Sequence, residues 1–122
     1  MARYYILDKN KNAIPVDDIR QWGTAFEDFD ARCVGKFQAK LHTVSTVFLG
    51  VNHSFDENSP PLLFETMIFD EDGRDCGCAR TSTWKDAEYM HRRVCQEVTK
   101  RENGGGANTL LSEVVDKFLG DM

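Results

Sequence analysis

The sequence predicts an α+β fold: an antiparallel sheet of four to five strands with two to three helices packed mainly on one face. Two observations carry this expectation. The middle of the chain, from Arg32 to Thr81, is a succession of short runs rich in β-formers, divided by turn residues. Outside it, apolar residues recur at helical spacing, so each helix has one face to bury against a sheet. At 122 residues, with 41% hydrophobic and 29% charged side chains, the chain suffices for one core of ordinary composition.

The elements follow in order. Arg3 to Leu7 is short and β-rich and reads as a strand, and Asp8 to Asn12 as a polar turn. Pro15 and the capping residues Asp17 and Asp18 precede Ile19, Trp22, Ala25, Phe26 and Phe29, which predict a helix from about Asp17 to Asp28. Arg32 to Leu41 alternates as a strand. Thr43 to Val51 and Leu62 to Phe69 are denser, with apolar residues on both faces, as in a strand covered twice or used as an interface. Asp70 to Gly73 predicts a hairpin turn with Gly73 at positive φ, returning through Cys76 to Thr81. Ser82 or Thr83 caps a long helix that places Trp84, Ala87, Met90 or His91, Val94 and Val98 on one face and frays near Glu102. Residues 1–102 are therefore expected to form a single domain. Residues 103–108 form a glycine-rich linker. Residues 109–122 form an amphipathic helix whose apolar stripe includes Leu110, Val114 and Phe118. This helix can dock on its own sheet or on a partner's, so a homodimer is possible through it or through the apolar strand faces.

Charge and motifs exclude several function classes. Fifteen Lys and Arg against twenty Asp and Glu give a net charge of −5 and a pI near 5.1. That balance argues against general nucleic-acid binding, which requires clustered basic residues. Apolar runs such as Leu62-Leu63-Phe64 fall far short of a membrane span. The chain shows no leader pattern, so a cytoplasmic location with the four cysteines reduced is expected. No nucleophile elbow, zinc-protease or dinucleotide motif is present, and Gly104 to Gly106 lacks the residues of a phosphate loop.

Two constellations remain. Cys76, Cys78, His91 and Cys95 are zinc-ligand types, with His91 and Cys95 one helical turn apart and Cys76 and Cys78 on the same side of a strand. One residue between the first two cysteines is fewer than zinc sites use, so no cofactor is expected, with zinc as the alternative. The second constellation is polar residues within the most apolar strands: Ser45 and Thr46, then His53, then Glu65 and Thr66, with His91 from the long helix. Glu65 among apolar neighbours needs a partner, because an unpaired buried carboxylate is costly. His53, His91, an Arg or a ligand would serve. The ten-residue connection Asn52 to Pro61, stiffened by two prolines, is of a length that often binds. Trp22, Phe48, Phe55 and Trp84 could stack a base.

Three function classes fit. One is a non-enzymatic binding module using Ser45, Thr46, His53, Glu65, Thr66 and His91. Another is a small, metal-assisted hydrolytic enzyme using His53, Glu65 and His91. The third is an oligomerising structural protein.

Val44 to Gly50, His53-Ser54-Phe55 and Pro60 to Phe69 together resemble a family of small proteins common in bacteriophage and prophage genomes. Tyr4 to Asp8, Trp22 to Asp28, and Ser82-Thr83-Trp84 with Ala87 and His91 extend the likeness over residues 3–98. Asn52 stands where the family pattern has Asp, the cysteines at 76, 78 and 95 lie outside it, and the tail from Gly104 is an addition. The resemblance implies an accessory factor acting on the host. Its partner would be a host protein or a nucleotide-like signal, as in counter-defence.

Overall fold

The computed structural model describes residues 3–54 and 56–104. Asn103 and Gly104 end the last helix. The rest of the linker, the expected terminal helix and Phe55 lie outside the described residues. The fold is α+β, and the described residues form six strands in two antiparallel sheets, of two and four strands, and three helices.

Strand β1 (Tyr4–Leu7) does not join the main sheet as an ordinary strand. It pairs with β2 (Ala13–Val16), a strand where the sequence predicts only the approach to a helix. Pro15 is tolerated because a two-stranded ribbon is all edge. Asp8 closes the turn by accepting from the backbone N–H groups of Asn10 (2.8 Å) and Asn12 (2.9 Å). The hairpin touches the main sheet through one bridge, Tyr4 to Val51, and through Tyr5 N–H to the Gly50 carbonyl at 2.7 Å. Gly50 has φ +71°, and a Cβ there would lie 2.4 Å from the Tyr5 carbonyl oxygen, so only glycine allows this approach.

The predicted helix is present as α1 (Ile19–Phe26), and a further short helix, α2 (Phe29–Arg32), follows where the sequence predicts none. Asp18 caps α1, and Asp28 caps α2 by accepting from Ala31 N–H. A cap residue inside the apolar periodicity ends one helix and starts the next.

Four strands then run as a meander: β3 (Cys33–Gln38), β4 (Thr43–Phe48), β5 (Phe64–Phe69) and β6 (Asp75–Thr81). Gly73 takes positive φ in the β5–β6 turn, as the sequence predicts. The register gives three cross-strand rows on one face. They are Phe37–Val44–Ile68–Gly77, Gly35–Thr46–Thr66–Ala79 and Phe48–Phe64–Thr81. Helix α3 (Trp84–Asn103) lies over them, started by Thr83, whose hydroxyl accepts from Asp86 N–H at 3.0 Å. Met90, Val94 and Val98 bury against Val44, Ile68 and Ala79, while Ala87 meets Phe48, Leu63 and Phe64. These side chains are 0–3% exposed and form the core.

The opposite face carries the rows Lys36–Ser45–Met67–Cys78 and Val47–Glu65–Arg80. Helix α3 leaves it uncovered, and its residues are half-buried or exposed.

Candidate functional site

The six polar residues singled out in the sequence do not form one site. Strand alternation divides them. Thr46, Thr66 and His91 lie between the sheet and α3, Ser45 and Glu65 lie on the uncovered face, and His53 lies in the β4–β5 connection. Among the described residues, no hydrogen bond or ion pair joins Glu65 to either histidine.

The residues under α3 form a continuous polar chain through the core. The hydroxyls of Thr46 and Thr66 are 2.9 Å apart, and the Thr46 hydroxyl is 2.8 Å from His91 Nδ1. His91 Nε2 is 3.5 Å from Cys95 Sγ. Gly35 makes room for the ring, since a Cβ there would lie 2.6 Å from Nε2. Burial pushes the His91 pKa below its ordinary value and the Cys95 thiol up to about 11. The pair is thus a neutral imidazole beside a neutral thiol at pH 7. A nucleophilic cysteine requires the thiolate, which burial here disfavours, and the pair packs as a polar strut between helix and sheet.

On the uncovered face, Glu65 finds the partner its setting demands. Arg80 NH2 lies 3.4 Å from Glu65 Oε2, across the β5–β6 pair. Cys78 stands beside them, its thiol raised to about 11 by burial and by the charge of Glu65. Leu62, Met67 and Asp75 complete a shallow groove around this pair. Val47 pairs with Glu65, and Ser45 with Met67, so the groove continues onto β4. This surface is amphipathic: Val47, Met67 and Cys78 lie around one ion pair, and Lys36 stands at its far edge.

Arg80 is the residue the sequence reading missed. The reason is a bulge at Cys76. Asp75 pairs with Phe69, but Gly77 pairs with Ile68, so the extra residue advances the register by one. Without it, Glu65 would face Ala79 and Arg80 would point the other way. The only available signal was a cation within one residue of the position opposite Glu65.

The same bulge corrects the zinc expectation. Cys76 packs on the α3 side against the core, whereas Cys78 lies on the uncovered face. The two do not share a side, so Cys76, Cys78, His91 and Cys95 are not brought together. Among the described residues, no cluster of three or more His, Cys, Asp or Glu is placed to hold a metal ion, and the four cysteines are free thiols.

His53 is positioned by its backbone, with its N–H donating to the Leu62 carbonyl at 3.0 Å. Asn52 organises the loop. Its side-chain oxygen accepts from Ser54 N–H at 2.8 Å and Leu62 N–H at 3.2 Å. Of the aromatics considered for base stacking, Phe48 is core, and Trp84 packs on Phe64 and under Lys11. Among the described residues, no helix is long and apolar enough to cross a membrane.

Comparison with known proteins finds no match: no protein-family model, no curated protein and no solved structure corresponds to this chain.

Proposed function

We propose that the protein is a non-enzymatic binding module that holds a protein partner through the uncovered face of its four-stranded sheet. The observation that carries this reading is the composition of that face. Val47, Met67 and Cys78 surround the Glu65–Arg80 pair, and no layer lies over them among the described residues. Apolar side chains around a single charged pair give this face the mixed character of a recognition surface. The groups from which acid–base or thiol chemistry would be built favour binding too. His91 and Cys95 are held neutral, and Glu65 is held by Arg80. Likeness to phage-type proteins supplies the context: an accessory factor acting on a host protein in the cytoplasm, with counter-defence as one such role.

The reading is tested by amine-reactive cross-linking in cells followed by mass spectrometry. Lys36, on the same face, is the reporter. A partner cross-linked to Lys36, and lost in both Val47→Lys and Met67→Lys variants that keep their melting temperature, supports the assignment. A partner retained equally by both variants, or no cross-link at Lys36, overturns it.

A further inference from the structure

Between β1, α1, α2 and the end of β4 is a cavity of about 190 Å³. Its walls include Tyr5, Leu7, Trp22, Phe26 and Phe48, and Arg32 reaches into it. The walls are fixed. Trp22 Nε1–H donates to the Leu49 carbonyl at 3.2 Å, and the indole stacks against Tyr4 (5.4 Å) and Phe26 (4.9 Å). Gly50 permits this seating, since a Cβ there would lie 2.8 Å from Trp22 Nε1.

Arg32 is the chemical feature of the cavity. Its Nε–H donates to the Phe26 carbonyl at 2.7 Å and NH1 donates to the Phe48 carbonyl at 3.2 Å. The guanidinium lies 3.7 Å from the Phe26 ring centre. Both backbone partners are neutral, and among the described residues no carboxylate lies within ion-pair distance of it. The second terminal nitrogen has no hydrogen bond among the described residues. A guanidinium carries five N–H donors in a planar fork suited to a carboxylate, and a half-buried one with no carboxylate in direct contact favours taking one. Asp28, which also lines the cavity and interacts electrostatically with Arg32, adds a negative charge to the lining that opposes a dianion more than a monoanion.

Size sets the remaining chemistry. A cavity of about 150 Å³ holds one benzene ring, so this one takes a single ring with a small substituent. We propose that the cavity binds a single-ring aromatic monocarboxylate, its ring between Trp22 and Phe48 and its carboxylate on Arg32.

The test is a ¹H–¹⁵N NMR titration of the full chain with sodium benzoate, with benzyl alcohol and inorganic phosphate in separate arms. Benzoate is expected to shift the Trp22 Nε1–H and Arg32 Nε–H resonances saturably, at least tenfold more tightly than either control. Arg32→Met should weaken the shift at least tenfold. It also releases two carbonyls, so Ala31→Leu, which fills the cavity and leaves the guanidinium in place, is the second variant and should block binding. No saturable shift, equal binding of benzyl alcohol or phosphate, shifts confined to other residues, or unchanged binding in Ala31→Leu would each overturn the proposal. None of these results bears on the uncovered sheet face.

Discussion

Thr46 joins two strands and a helix through one oxygen, because its hydroxyl meets both Thr66 and His91. Thr46→Val keeps the shape and leaves the Thr66 hydroxyl and His91 Nδ1 without that partner. A buried polar group so stranded costs about 1–3 kcal/mol, and denaturant unfolding should show a loss in that range. His91 adds a pH dependence. Burial lowers its folded pKa below the unfolded value near 6.5, so the unfolded state binds the proton first. The stability from a neutral His91 is therefore full above pH 6.5 and is lost as the pH falls from there toward the lowered value. Melting temperatures measured from pH 7.5 to 5 should fall in the wild type and fall less in His91→Gln. A parallel fall in both would show that His91 does not carry this loss. Residue type alone marked Thr46, Thr66 and His91 as polar groups within apolar segments. Their meeting rests on the pairing of Gly35, Thr46 and Thr66, and on the space a missing Cβ leaves, which residue type does not encode.

At the scale of elements, the end of α3 locks the β3–β4 turn. The Glu102 carboxylate accepts from Lys40 N–H at 2.9 Å and Leu41 N–H at 2.7 Å, and lies 2.8 Å from His42 Nδ1. Its side chain is 3% exposed and that of His42 is 7%. A negative charge at a helix C-terminus opposes the macrodipole, and these three contacts offset that. Burial alone would raise the Glu102 pKa; the hydrogen bonds from His42, Leu41 and Lys40 outweigh it and hold the group below its ordinary value. Glu102→Ala should cost about 1–3 kcal/mol at pH 7, the range for removing a partner from buried polar groups. The folded pKa is depressed, so this stabilisation is present above pH 4.5 and disappears as the pH falls through the lowered value. Wild type and variant should therefore converge in stability toward pH 3, and a constant gap would show that packing, not charge, is lost. Helix α3 was legible, because its cap, periodicity and buried stripe all lie within one segment. Strand β2, the short helix α2 and the bulge at Cys76 were not. Each is decided by a partner distant in sequence or by a single inserted residue.

At the scale of the molecule, the sheet is asymmetric: one face closed by α3, the other open. The sequence shows strands apolar on both sides, and from that alone a second covering layer and an interface are equally good readings. Both clusters of the core are complete among the described residues, from Leu63 and Ala87 at one end to Val94 and Val98 at the other. Helix α3 is also finished within them, with Gly104 N–H donating to the Lys100 carbonyl at 2.9 Å. The open face differs in kind from the closed one, for it holds Lys36, Glu65 and Arg80 where the closed face holds Phe37, Thr66 and Ala79. A sheet face that carries an ion pair among its apolar residues tolerates contact with water. Removal of residues 105–122 should therefore leave the fold intact. For a chain between the 60–100-residue and 150–250-residue classes, ~1 kcal/mol corresponds to about 4 °C, and the truncated chain should melt within about 3 °C of the full one. A fall of about 10 °C or more would mean that the tail covers apolar surface in the full chain, and the open face would then be its own second layer rather than a site for a partner.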